Sequence, residues 1–143
     1  MEEEKEIEIR SPQSIRPWQH VLEPLSGYLL LAKKMWENPG KYCEGWNFGP
    51  EAESISTVWE VASKVVDNYG RGNLKDVSNS KDLHEAKLLM LDISKARFRL
   101  GWKPRLNVDD TVAFTVDWYK NYRTQNPYFL CVSQIESFCK QDA

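Results

Sequence analysis

Between Arg10 and Leu31 the chain reads RSPQSIRPWQHVLEPLSGYLLL, and its three prolines constrain the fold more than any other feature. Each proline disfavours the helical region for the residue before it, so Ser11, Arg16 and Glu23 are biased toward extended backbone. Arg16 to Val21 therefore reads as a short strand or stiff extended arm. Val21 to Glu37 reads as an apolar helix, with Pro24 tolerable only in its first turn. An arginine held at a strand-to-helix junction, beside a helix N-terminus, is well placed to receive a phosphate. The same pattern also admits Arg10 and Arg16 as ordinary surface charges and Trp18 as core filling, and on pattern alone that plainer reading is the stronger.

The rest of the chain alternates strands and helices irregularly. Glu6 to Ile9 alternates polar and apolar residues, as a half-buried strand does. In the Val21 to Glu37 helix, Val21, Leu22, Leu25, Tyr28, Leu29, Ala32, Met35 and Trp36 recur at helical spacing, and Leu30 and Leu31 broaden the apolar face beyond one stripe. Such a helix is expected to be covered on more than one side, which points to a partner surface. Asn38-Pro39-Gly40 ends it. Tyr42 to Phe48 is expected as a strand and Gly49-Pro50 as the turn after it. Ser54 or Ser56 can cap a helix whose stripe, Val58 to Tyr69, stops at Gly70. Leu74 to Val77 reads as a short strand, Asn79 to Leu83 as polar loop, and Ala86 to Leu91 as a buried strand. Asp92 can cap a short helix through Leu100, closed by Gly101. Asn107 to Thr124 is the best helix, capped by Asn107, and Phe129 to Cys139 is a last amphipathic one. Mixed α/β is the class this order supports, as one domain over 1–143 with residues 1–5 as a solvated or disordered end.

Composition excludes several functions. With 41% apolar and 28% charged residues and a net charge of −2, the chain has no global attraction to nucleic acid or anionic membrane. No apolar run approaches the ~20 residues of a transmembrane helix, and no signal peptide is legible in residues 1–20. Cys43, Cys131 and Cys139 lack metal-ligand spacing and read as free thiols of a reducing cytoplasm. His20 and His84 stand alone, which argues against zinc.

Hydride-transfer chemistry on a nucleotide sugar needs a Gly-rich strand-to-helix turn for a dinucleotide and a tyrosine acidified by a nearby lysine. No set of the seven glycines forms GxGxxG. Four positions after the tyrosines stand Ala32, Trp46, Asn73, Arg123, Asn126 and Val132, never a lysine. There is no GxSxG elbow either, so no catalytic set is visible.

A family likeness enters with the motifs. RSPQSIRPWQHV over Arg10 to Val21, then WNFGP ending at Pro50, His84-Glu85-Ala86, LDISKA ending at Ala96, LGWKP ending at Pro104, TVDWYK ending at Lys120 and SQIE ending at Glu136 follow one another in order. Together they resemble the CDP-glucose 4,6-dehydratase branch of the extended short-chain dehydrogenase/reductase family, over almost the whole chain from Glu6. RPWQHV is specific to that branch, while WNFGP and LGWKP mark the wider family. The likeness covers only the C-terminal, substrate-binding part. In the family, the NAD-binding Gly-rich turn and the catalytic tyrosine and lysine lie upstream of it.

The resemblance implies a sugar-nucleotide site without catalytic residues in this chain, no metal, and no cofactor of its own beyond the NAD of the full-length family. It assigns Arg16 to the substrate pyrophosphate and Glu85 to the ribose hydroxyls. Related epimerases carry an arginine three residues before that acid, where this chain has Asp82. Arg10 or His84 is then a candidate for the second phosphate contact. Trp18 and Phe48 are candidates for stacking on the base, against a stronger expectation of core packing, and His20 completes the candidate set. In the whole enzyme the reaction is NAD-dependent oxidation at C4, loss of water across C5–C6, and hydride return at C6. Three roles stay open: a CDP-sugar-binding portion that does not catalyse alone, one chain of a split dehydratase completed by a separate NAD-binding partner, and a truncated module that self-associates.

Overall fold

The computed structural model describes residues 6–79 and 87–141. Among the described residues two small sheets and five α-helices, with short helical segments at Ala52–Ser54 and Ala96–Leu100, make a mixed α/β fold. β1 (Ile7–Ile9) pairs in parallel with β4 (Leu74–Asp76), with Ile7 opposite Leu74 and Ile9 opposite Asp76. β2 (Ile15–Arg16) pairs antiparallel with β3 (Ser56–Thr57), so that Arg16 stands opposite Ser56. Around them lie α1 (Leu22–Glu37), α2 (Pro39–Tyr42), α3 (Val58–Tyr69), α4 (Val108–Asn121) and α5 (Pro127–Lys140). No helix among the described residues is long and apolar enough to cross a membrane.

Caps fix where the helices begin. The Thr57 hydroxyl accepts the Glu60 N–H at 3.2 Å, while the Glu60 carboxylate accepts the Thr57 N–H at 2.7 Å, a reciprocal capping box. The Thr57 N–H and the Thr57 hydroxyl, both donating to the Glu60 carboxylate, hold that carboxyl below its ordinary pKa. Asn107 accepts the Asp110 N–H at the start of α4, and Asn126 accepts the Tyr128 N–H at the start of α5. Gly70 ends α3 at φ 84°, a left-handed turn that only glycine adopts without cost.

The core has two parts. One gathers Tyr42, Phe48, Ile93, Ala96, Leu100 and Trp102 against Leu30, Leu31 and Met35 of α1. The other packs Val61 of α3 against Val112 and Val116 of α4, with Trp18 and Val65 beside them. The first turn of α1 ties these parts to the chain ahead of α4. Glu23 is 1% exposed, and its Oε1 accepts the N–H groups of Arg105 at 2.8 Å and Leu106 at 2.6 Å. One turn on, Ser26 donates to the Glu23 carbonyl and accepts from the Trp102 indole at 2.9 Å.

Four expectations change. The inner face of α1 is Glu23, Gly27, Leu30, Leu31 and Met35, and the regular stripe of Val21, Leu25, Tyr28, Leu29 and Trp36 faces outward. Tyr42 to Phe48 is not a strand. Pro39 opens a one-turn helix, α2, after which the polar groups find side-chain partners rather than a ladder: the Trp46 indole donates to the Tyr42 carbonyl, and the Gln19 amide donates to the Phe48 carbonyl. Neither Ser54 nor Ser56 caps α3, because Ser56 is engaged in β3 and Thr57 takes the cap. The segment expected as a buried strand is exposed from Leu88 to Leu91 and joins β2 only through a parallel bridge from Leu88 to Ile15. Ala86, like residues 1–5 and most of the polar loop from Asn79 to Leu83, lies outside the described residues.

Gly27 tests this packing. A Cβ there would lie 2.3 Å from Phe48 Cδ1, and Phe48 is held between Tyr28 and Trp102 in edge-to-face contacts. Gly27→Ala should lower the unfolding free energy by about 1–3 kcal/mol, the usual cost of overpacking, measured by urea titration. An unchanged midpoint would mean that α1 does not seat on Phe48 as described.

Candidate functional site

Three segments converge on Arg16. Extended backbone places it at the end of β2, where Ser56 opposes it and Pro17 stops the ladder. Ile15 is held from the other side as well. Its N–H donates to the Lys87 carbonyl at 2.8 Å and its carbonyl accepts from the Leu89 N–H at 3.2 Å. The result is a narrow cleft lined by Ile15, Arg16 and Pro17, by Pro50, Glu51, Ser54 and Ile55, and by Leu89, Met90 and Leu91. The Arg16 guanidinium is half-buried and donates from Nη1 to the Ile15 carbonyl at 2.8 Å. Glu51 is the carboxylate of the lining, and its Oε2 pairs with Arg97 Nη1 at 3.0 Å. The cleft encloses only about 20 Å³, room for little more than a water molecule, so the guanidinium, the carboxylate and the apolar walls admit a larger ligand only if the walls part.

His20 is elsewhere. It is buried at the head of α1, where its Nδ1 accepts the Leu22 N–H at 3.3 Å and its ring meets Phe114 edge-on at 5.6 Å. Accepting at Nδ1 places the ring proton on Nε2 in the neutral form. Burial lowers its pKa from the ordinary 6.5. It lines a second groove, about 500 Å³, with Gln19 and Leu25 near the start of α1, Thr115 and Trp118 of α4, and Cys131 and Gln134 of α5.

The other candidates are dispersed. The Trp18 indole donates to the Ser56 carbonyl at 3.1 Å and its ring packs on the α3–α4 core. Phe48 is buried in the first core cluster. Both aromatics pack on the core, and neither lines the cleft. Arg10 is exposed just beyond β1, in the other sheet. His84 and Glu85, with Asp82, lie outside the described residues. Sequence reasoning missed Glu51, Ile55 and the Leu89–Leu91 wall. The available signal was position, since Glu51 directly follows the WNFGP motif.

No dinucleotide cradle is formed among the described residues. Gly70 and Gly101 take positive φ to close helices, and Gly72 follows in the loop to β4, so none opens a strand-to-helix turn. Among the described residues no group of three or more His, Cys, Asp or Glu could hold a metal ion. The three cysteines are free and exposed.

The fold is that of the C-terminal part of extended short-chain dehydrogenase/reductase dehydratases and epimerases. It superposes on dTDP-glucose 4,6-dehydratase from Bacillus anthracis, solved with NAD, with a TM-score of 0.65 at 20% identity, over 87% of this chain and 38% of that one. UDP-glucuronic acid 4-epimerase from Bacillus cereus gives a TM-score of 0.65 at 18% identity, over 84% and 37%. No family model matches the chain. In sequence the chain corresponds to the C-terminal part of CDP-glucose 4,6-dehydratase. It is 41% identical to the Salmonella typhimurium enzyme over 130 residues, which are 91% of this chain and 36% of that protein. The chain thus spans about a third of the length of the relatives it matches.

His20 gives this region a pH signature. Its folded-state pKa is depressed, so the neutral ring stabilises the fold above 6.5, and that contribution is lost as pH falls below 6.5 toward the folded value. Asparagine can replace Nδ1 as an acceptor for the Leu22 N–H without titrating. Between pH 7 and 5 the wild type should lose more of its denaturation midpoint than His20→Asn, and equal slopes would remove His20 as the cause.

Proposed function

We propose that the chain binds the nucleoside diphosphate of a CDP-glucose-like sugar nucleotide in the cleft beside Arg16. On this reading it is the substrate-binding portion of an NAD-dependent CDP-glucose 4,6-dehydratase and does not carry the reaction alone. The carrying observation is the placement of Arg16, held by strand pairing in the lining of a small cleft, within the segment RPWQHV that marks the CDP-glucose branch. A planar guanidinium matches a phosphate bidentately, and charge-assisted bonds of this kind are the strong ones. Glu85, which the family likeness assigns to the ribose, and His84 belong to the same reading.

The reading predicts measurable binding. CDP titrated calorimetrically into the chain should give a saturable heat, and Arg16→Ala should weaken it by roughly 2 kcal/mol, the scale of a charge-assisted contact. A folded sample that gives no heat at millimolar CDP would count against a preformed site.

A second reading has its own observation. The outward stripe of α1 leaves Leu25 44%, Leu29 73% and Trp36 90% exposed, a larger apolar run than a solvated helix face ordinarily carries. We infer that this stripe meets a separate chain equivalent to the NAD-binding portion of the relatives. The portion of the Salmonella enzyme that this chain does not cover, expressed alone, should co-elute with it in light-scattering chromatography, and Leu29→Glu should abolish the complex. A chain that instead forms dimers sensitive to Leu29→Glu would favour the self-associating module. A monomer indifferent to the added portion would sink both.

A further inference from the structure

The groove between α1, α4 and α5, about 500 Å³, takes no part in the nucleotide reading. Small-ligand pockets run from roughly 300 to 1,000 Å³ and are mostly apolar, with a few placed polar groups. This groove has that make-up. Leu25 of α1, Trp118 of α4 and Ile135 of α5 wall it, and among the described residues no charged side chain lines it. Two of its polar side chains already donate elsewhere. The Thr115 hydroxyl donates to the Thr111 carbonyl at 2.8 Å, and the Gln134 amide donates to the Phe114 carbonyl at 2.7 Å. His20 differs. At 7% exposed it is the buried residue of the lining. Its Nδ1 accepts the Leu22 N–H, so the neutral ring carries its proton on Nε2. Among the described residues that N–H has no acceptor, yet Nε2 is not sealed from the surface, and the groove is the side on which it opens. A donor left so in apolar surroundings costs free energy until an acceptor meets it.

We propose that this groove binds a small neutral molecule with an apolar body and one carbonyl-type acceptor. The acceptor takes the His20 Nε2–H, and the body lies between Leu25, Trp118 and Ile135. Neutrality follows from the lining. A carboxylate or phosphate would enter without a cation to meet it, and an unpaired charge in such surroundings costs far more than a neutral acceptor. A cationic ligand would find no carboxylate there and would face a donor. The site is separate from the cleft beside Arg16, and neither requires the other. It is also more confined than the outward stripe of α1, since a second chain lying on that stripe would cover Leu29 and Trp36, which do not line the groove.

The test uses prodan, a neutral naphthalene ketone whose emission brightens and moves to the blue on leaving water. Titrated with the chain, it should give a saturable blue shift at one equivalent, reversed by benzylacetone, a smaller neutral ketone. Leu25→Trp and Ile135→Trp place bulk in the groove from exposed positions, and each should abolish the signal while the urea midpoint stays as it is. His20→Asn keeps an acceptor for the Leu22 N–H and withdraws the Nε2 donor, so it should weaken prodan about fivefold, the scale of one neutral hydrogen bond. Leu29→Glu, outside the groove, should leave prodan binding unchanged. An absence of saturable binding, or binding that survives both tryptophan variants, would overturn the proposal. So would a loss in Leu29→Glu equal to that in Ile135→Trp, which would place the probe on the outward stripe. Undiminished binding in a folded His20→Asn would overturn the role of the His20 donor. None of these results bears on CDP binding beside Arg16, which the calorimetric titration reads independently.

Discussion

The fold hangs on one buried carboxylate. Glu23 is nearly inaccessible, and taking a carboxylate out of water costs several kcal/mol unless hydrogen bonds replace the lost hydration. Here the backbone N–H groups of Arg105 and Leu106 do so. Both amides donate to Oε1, and bonds of this kind partly replace the hydration that the buried group gives up. The consequence is positional. Arg105 also sends its guanidinium to the Phe138 carbonyl at 3.3 Å and over the Phe138 ring, so the segment clamped by Glu23 seats α5 as well. Ser26 and Gly27 extend the same seam, one through the Trp102 indole and the other through contact with Phe48. In one turn of helix, α1 fixes α5, the chain ahead of α4 and the first core cluster.

That seam explains why neighbouring residues serve different places. Arg16 and His20 are four apart, but a strand and a helix start separate them. Arg16 lies in β2, with its position set by pairing to β3 and to the segment from Lys87 to Leu89. His20 lies at the head of α1, where its ring satisfies an N–H that the helix cannot, and its carbonyl takes the Glu23 N–H at 3.0 Å. The histidine is thus part of the support of α1 and lines the groove between α1, α4 and α5.

Local chemistry made much of this legible in the sequence. Gly70, Gly101, Asn107 and the prolines act on their own immediate backbone, so the boundaries they mark were read nearly to the residue. What was misread depends on distant partners. Tyr42 to Phe48 has strand-like composition, yet its carbonyls are taken by side chains such as Gln19, which no local pattern can announce. Leu88 to Leu91 looks like a core strand because it is apolar, and it is exposed because no described element packs over it. On α1 the periodic residues suggested the interior, whereas a buried glutamate and a glycine mark the real one. Glu23 reads in sequence as a polar residue before a proline, and only the amides eighty residues on give it a reason to be inside. The Arg16 cleft was half visible for the same cause. The strand residue was legible, and the walls supplied by two distant loops were not.

The apolar surfaces left open share a physical logic. Leu29, Trp36, Leu88 and Leu89 are at least half exposed, in a chain whose two core clusters are otherwise well closed. Each such side chain forgoes roughly 1.5–3 kcal/mol of burial. Helix α1 can bear this because most of its packing is on the opposite face, through Glu23, Ser26 and Gly27, and of the stripe only Tyr28 touches Phe48 of the first core cluster. A helix anchored on one side and apolar on the other is already rigid before anything meets it. On the reading that a second chain covers this stripe, the partner finds an ordered surface and does not have to order it, which lowers the entropic cost of association.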